Sequence, residues 1–148
     1  MMLHHIYLIL HLLAATIWVG GHLFLAIRVL PKALKSKDIT LINNFKDLFE
    51  PIGLPSLVIL VVTGILMAYD FDATFTKWFS FSGAVEKIVS IKLILLFTTV
   101  ALAVSAQRFE APKLSVHNLG AFAFHIIAVT VIGVTMLILG SFVRSGGI

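Results

Sequence analysis

The sequence predicts an all-α protein, an integral membrane four-helix bundle, on two observations. Of its 148 residues, 59% are hydrophobic and only 12% are charged, whereas an ordinary soluble domain carries about 25% charged residues. The apolar residues also form four separate runs of roughly 20 residues, the length that crosses a bilayer core. We therefore expect lipid to surround most of a single domain that covers residues 1–148.

The first two apolar runs cover residues 6–27 and 51–69. The second run is the shortest, and we place its Pro55 in the first turn, where a missing N–H costs little. The segment between the runs is mixed and basic. Its Asn43, Phe45 and Phe49 suggest a short surface helix within a connecting loop.

The last two apolar runs cover residues 88–107 and 119–143. The connection before the third run is rich in aromatic residues, among them Phe75 and Trp78. Because aromatic rings favour the headgroup level, we expect this loop to lie on the membrane. The last connection is short and contains Pro112.

The distribution of Lys and Arg predicts the orientation of the bundle. The first and third connections carry seven of these residues and the opposite side carries three. The seven are Arg28, Lys32, Lys35, Lys37, Lys46, Arg108 and Lys113, and the three are Lys77, Lys87 and Arg144. The positive-inside rule then places both termini on the outer, periplasmic side of a bacterial inner membrane. The net charge of +4 thus indicates membrane lipid as a partner rather than nucleic acid.

Four ionisable residues fall well inside the apolar runs, where each is costly and needs a partner. They are His11 and His22 in the first run, Lys92 in the third and His125 in the fourth. At about 100° per residue, His4, Trp18 and His22 each lie about 20° from His11 around the first helix and form one stripe with it. The stripe consists of His4, His11, Trp18 and His22, and we expect it to face the bundle interior.

The depths of these residues predict two pairs. At about 1.5 Å per residue, His22 lies roughly 7 to 8 Å, and His125 roughly 10 Å, from the predicted cytoplasmic ends of their helices. Two facing imidazoles at one depth can ligate a haem iron from both sides. Near the outer surface, His11 and Lys92 match in depth, each roughly 6 to 8 Å from the helix end.

Two other interpretations stay open. The outer half also contains soft ligands suited to Cu(I), namely Met1, Met2, His4, His5, His11, Met67 and Met136. Alternatively, the histidines only bond neighbouring helices, as in an accessory subunit of a membrane complex. The chain has no cysteine, which excludes thiolate sites, and it has no phosphate-binding loop or hydrolase motif.

The stretch HLLAATIWVGG at residues 11–21, continued by Arg28 and Pro31, resembles the first helix of CopD-type copper-resistance membrane proteins. Thr63-Gly64 and Lys92 agree with that pattern. The same skeleton is similar to HemJ-type protoporphyrinogen oxidases, in which a His, a Trp, an Arg and a Lys recur. These correspond to His11, Trp18, Arg28 and Lys92. The resemblance implies a four- or five-helix bundle with a functional His11 and either copper handling or haem chemistry.

His22 and His125 depart from both family patterns and favour a variant similar to cytochrome b. The leading hypothesis is a haem b-binding redox protein that transfers electrons or oxidises a small donor. His22 and His125 are the expected axial ligands, and His11 is either an alternative ligand or the partner of Lys92 at a propionate. Lys92 and Arg28 would neutralise propionates, and Trp18 would pack on the macrocycle. The electron donor or acceptor is not identified by the sequence, and the chain could act as a homo-oligomer or as one subunit of a larger complex.

Overall fold

The fold consists of four long helices. The computed structural model describes residues 2–143 and 145–146. Its helices long and apolar enough to cross a membrane are α1 (Met2–Ser36), α2 (Thr40–Asp70), α3 (Ala84–Lys113) and α4 (Leu119–Val143). The prediction of an all-α fold with four helices long and apolar enough to span a membrane is confirmed for the described residues.

The first two helices extend further than the apolar runs predicted. α1 continues to Ser36 and α2 begins at Thr40, so the expected loop with its surface helix is two helix ends joined by a tight turn. Pro55 lies deep inside α2 rather than in its first turn. The extension is stable because Leu30, Ala33 and Ile42 pack into a buried apolar cluster with the start of α4.

The turn between α1 and α2 has its own stabilising contacts. Lys37 ends α1 in the left-handed conformation, with φ of 54°. The Asp38 carboxylate accepts hydrogen bonds from the Thr40 amide at 2.9 Å and from the Thr40 hydroxyl at 2.5 Å. These bonds, the one from the hydroxyl above all, hold the pKa of Asp38 below its usual range. The carboxylate therefore stays ionised at the start of α2, where the helix dipole favours a negative charge.

A wide π-helical turn precedes a proline in both α1 and α3. The turn Leu25–Val29 lies just before Pro31, and the turn Ala106–Glu110 lies just before Pro112. A proline removes one backbone hydrogen bond and its ring crowds the carbonyl four residues earlier. A π-turn offers the extra room at that carbonyl, so α1 continues past Pro31 to Ser36, whereas α3 ends one residue after Pro112.

The helices pack in the order α2, α1, α4, α3. The contact of α1 with α2 is the most extensive, α4 packs on both α1 and α3, and α2 and α3 share few contacts. One contact between them is the Gln107 amide, which donates to the Glu50 carboxylate at 2.7 Å. Gly133 of α4 lies against Val19 of α1 and Gly140 lies beside Lys92 of α3, so both glycines, seven residues apart, face inside the bundle.

The aromatic connection between α2 and α3 is folded back on itself. The Trp78 indole donates to the Ala73 carbonyl at 3.0 Å, and the Phe79 amide donates to the Ser90 hydroxyl at 3.1 Å. Lys77 pairs with Asp72, and this carboxylate raises the pKa of Lys77. The rings of Phe75 and Phe79 are left 70% and 48% exposed, as expected of a loop that lies at the headgroup level.

Candidate cofactor site in the bundle interior

The stripe of α1 faces α2, as a stripe that faces the bundle interior should. His4 Nδ1 lies 2.8 Å from the Asp70 carboxylate and His11 Nδ1 lies 2.9 Å from the Thr63 hydroxyl. Deeper in the bundle, the rings of Trp18 and His22 lie 6.2 and 5.6 Å from the ring of Phe49. All four side chains of the stripe therefore contact α2.

Hydrogen bonding fixes the protonation of the His11 ring. The Thr63 hydroxyl donates its proton to the Ile59 carbonyl at 2.6 Å. Its oxygen therefore acts as an acceptor towards His11, and Nδ1 is the nitrogen that carries the hydrogen. The Leu60 carbonyl is a further acceptor for the ring. With the hydrogen on Nδ1, Nε2 keeps a lone pair, which is the form that binds a metal while the second nitrogen is held by a neighbouring acceptor.

Lys92 places a cation in the bundle interior near His11. Its ammonium group lies beside Gly140, where an added Cβ would sit 3.2 Å from Nζ, and it is within electrostatic range of the His11 imidazole. Within residues 2–143 and 145–146, no carboxylate pairs with Lys92. A cation inside the membrane without an anion in its own chain is a site where an anionic ligand is expected.

The surroundings of this pair include a close contact with a glycine and a hydroxyl without a partner. The His11 ring packs against Gly64, where an added Cβ would lie 3.4 Å from Cε1. Thr99, seven residues after Lys92 and hence on the same face of α3, has a buried hydroxyl without a hydrogen-bond partner in the described part of the chain. We call His11, Thr63, Gly64, Lys92 and Gly140 the His11–Lys92 site.

His22 lies in a separate aromatic cluster. Its Nδ1–H donates to the Trp18 carbonyl at 2.8 Å, and its ring stacks at 4.4 Å on that of Trp18. The Phe49 ring fills the adjacent space between Gly21 and Gly53, where added Cβ atoms would collide with it. Nε2 of His22 therefore also keeps its lone pair, among aromatic side chains.

His125 lies on the other side of the bundle, between α4 and α3. Its Nδ1–H donates to the Ala121 carbonyl at 2.9 Å, and Nε2 lies 3.3 Å from the Ser105 hydroxyl. Since Nε2 then carries no proton, Ser105 is the donor. Both ring nitrogens thus have partners within the chain, as expected of a histidine that bonds neighbouring helices.

The structure does not bring His22 and His125 together as the depth argument expected. α1 and α4 are neighbours, but the His22 carbonyl accepts from the Thr130 hydroxyl at 3.3 Å, which puts His22 level with Thr130. His125 is five residues away along α4, roughly 7 to 8 Å. The His22 ring contacts Phe49 of α2, whereas the His125 ring contacts Ser105 of α3. Axial ligands need their nitrogens roughly 4 Å apart. His22 lies farther from the C-terminal end of α1 than the apolar run predicted, because α1 continues to Ser36.

The remaining predicted site residues are spread along the bundle. Arg28 is 17 residues from His11, roughly 25 Å along α1. It is therefore too far away to bind the propionates of a haem that His11 and Lys92 hold. Trp18 is buried and lies two turns from His11. Of the copper set, His4 pairs with Asp70, and no group of three His, Cys, Asp or Glu residues suited to a metal occurs within the described residues. Met1 and Arg144 lie outside the described residues.

Comparisons with known proteins identify no relative of this chain. No protein-family model matches the chain, and neither does any curated protein or solved structure. The similarity to CopD-type and HemJ-type proteins therefore stays a prediction from the residues. Support for a function comes from the His11–Lys92 site.

Proposed function

We propose that this protein binds haem b at the His11–Lys92 site and acts as a membrane redox protein. The observation that carries the proposal is the pairing of two groups in the interior. An imidazole is held with its Nε2 lone pair free by Thr63, and an ammonium group on α3 lies within electrostatic range of it without a carboxylate partner in the described residues. An iron porphyrin with carboxylate side chains satisfies both groups.

Each residue of the site has a distinct role in this proposal. His11 would ligate the iron through Nε2, with Thr63 fixing the ring orientation, as outer partners of ligating histidines do. Lys92 would bind a propionate carboxylate, and Gly64 and Gly140 would let the His11 and Lys92 side chains pack closely against α2 and α4. When bound, haem supplies one-electron chemistry whose potential depends on the axial ligand and on burial.

The proposal also includes a location and an entry path. The Lys and Arg distribution favours a bacterial inner membrane with both termini on the outer side. The His11–Lys92 site would then lie in the outer half, within reach of an electron donor or acceptor at the periplasmic surface. The ligand would enter between α2 and α3, the pair of helices with few mutual contacts.

The test is the visible absorption spectrum of the detergent-purified protein, oxidised and then reduced with dithionite, after expression with ample haem. We expect a Soret band in the natural protein and in His125→Ala, and its loss in His11→Ala. His125→Ala is the matched control because it also removes a membrane histidine with a hydrogen-bonded ring. Lys92→Gln should weaken haem retention without abolishing the Soret band.

Other spectra would favour other functions. If His11→Ala kept full haem while His22→Ala and His125→Ala lost it, the ligand assignment to His11 would be wrong. A featureless spectrum with stoichiometric copper by elemental analysis would favour copper handling, as the CopD-type resemblance implies. Neither haem nor copper would favour the accessory-subunit interpretation, in which the histidines only join helices.

A further inference from the structure

A groove with two cations lies at the end of the bundle opposite the His11–Lys92 site. Its volume is about 550 Å³, and it is formed by α1 and the start of α2. Its lining residues are Phe24, Ile27, Arg28, Val29, Pro31, Lys32 and Leu41. Apart from Arg28 and Lys32, every one of them is apolar.

The depth of the groove matches the boundary between acyl chains and headgroups. A bilayer core of about 30 Å accommodates roughly 20 helical residues, and the apolar run of α1 ends at Ile27. Phe24 and Ile27 therefore lie at the level of the acyl chains, with 56% and 70% of their surface exposed. Arg28 and Lys32 follow at the level of the lipid phosphates.

The charges of the groove are not neutralised by ion pairs within the chain. Neither Arg28 nor Lys32 forms an ion pair with a carboxylate among residues 2–143 and 145–146. Asp38 interacts with Lys32 without forming an ion pair, and its carboxylate is hydrogen-bonded to Thr40. The groove thus offers two permanent cations to an external anion.

We propose that this groove is a binding site for one anionic phospholipid. The lipid phosphate binds between Arg28 and Lys32, and an acyl chain lies along Phe24 and Ile27. A soluble phosphate would satisfy the cations and leave the apolar wall uncovered, whereas a phospholipid covers both parts. This inference concerns the other end of the bundle and is independent of haem binding.

Native mass spectrometry of the detergent-purified protein, titrated with phosphatidylglycerol, tests the site. We expect one tightly bound lipid, and binding weakened about fivefold for each cation removed, or roughly 30-fold in Arg28→Gln/Lys32→Gln. Lys35→Gln/Lys37→Gln is the matched control, because it removes two charges from the same end of the bundle but outside the groove. This control should bind the lipid as the natural protein does.

Three outcomes would overturn the proposal. Equal weakening by the two double variants would mean a diffuse surface potential rather than a site. Equal binding of phosphatidylcholine would mean that the cations do not select an anionic lipid. Displacement of phosphatidylglycerol by millimolar inorganic phosphate would mean that the apolar wall contributes nothing and that the ligand is a free anion.

Discussion

At the scale of single residues, the three membrane histidines differ in the group that accepts a hydrogen bond from Nδ1. Backbone carbonyls hold the rings of His22 and His125, and a hydroxyl on another helix holds that of His11. The Nδ1 bond of His11 joins α1 to α2, so its strength depends on the packing of these two helices, whereas His125 bonds a second helix through Nε2 and Ser105. In the proposed function, His11 takes the place that the sequence analysis gave to His22 and His125.

Thr63 tests that bond directly. Thr63→Val keeps the shape of the side chain but removes the acceptor for His11 Nδ1–H, so the imidazole loses its fixed orientation. We expect haem affinity to fall about 10- to 100-fold, measured by titration of haem into the protein purified without it. Thr63→Ser restores the hydroxyl and should bind haem nearly as the natural protein does. Equal affinity of the valine and serine variants would contradict the role of this bond.

The adjacent glycines of α1 provide a second test at this scale. A Cβ on Gly21 would collide with the Phe49 ring, whereas a Cβ on Gly20 meets nothing within 4 Å. Phe49 cannot easily move away, because Gly53, Phe45 and Trp18 surround its ring. Gly21→Ala should therefore destabilise the bundle by about 1 to 3 kcal/mol.

The measurement is unfolding of the purified protein in increasing sodium dodecyl sulfate. Gly20→Ala is the control, since it adds the same methyl group to the neighbouring position of the same helix. We expect it to be neutral or slightly stabilising, because alanine favours the helix over glycine. Similar losses in both variants would show that α1 and α2 are not packed through Gly21 and Phe49.

At the scale of elements, the main feature is that α1 and α2 form a long hairpin that extends beyond the apolar runs. A π-turn lets α1 pass Pro31, and a left-handed residue allows the sharp reversal into α2. Because lysine at positive φ is strained by its Cβ, the turn is formed at a local cost. Packing of Leu30, Ala33 and Ile42 offsets that cost.

Substitutions at two lysines distinguish the backbone strain at Lys37 from an effect of charge. Lys37→Gly removes the side chain that is strained at φ of 54° and should stabilise the protein by about 0.5 to 1 kcal/mol. Lys35→Gly removes the same charge within the last turn of α1 and should destabilise it by up to about 1 kcal/mol. The same detergent unfolding assay measures both variants. Changes of the same sign would mean that charge, not backbone conformation, dominates at this turn.

At the scale of the whole molecule, the helices form a row of contacts from α2 through α1 and α4 to α3. The two end helices of this row, α2 and α3, approach each other little, so the interior is least closed between them. The connections that join α1 to α2 and α3 to α4 lie at one end, together with most of the lysine and arginine residues. The orientation of the protein in the membrane and the access of a ligand to the interior therefore depend on the complete bundle.

Because the chain has no cysteine, single cysteines can report its orientation. We expect Thr76→Cys, in the aromatic connection, to react with a membrane-impermeant maleimide in intact spheroplasts. Lys35→Cys, at the opposite end, should react only after lysis, because the positive-inside rule places that end in the cytoplasm. The reverse labelling pattern would put both termini on the cytoplasmic side.

The amino-acid sequence by itself determined the membrane class, the four spans, the limits of α4 and the stripe from His4 to His22. Hydropathy and helical periodicity are local properties, so they can be derived from one segment at a time. Only the tertiary structure decided that the stripe faces α2, that Lys92 comes near His11, and that His22 and His125 stay apart. These facts depend on the register between helices, which is set by side chains far apart in the chain, such as Val19 against Gly133 and Gly21 against Phe49.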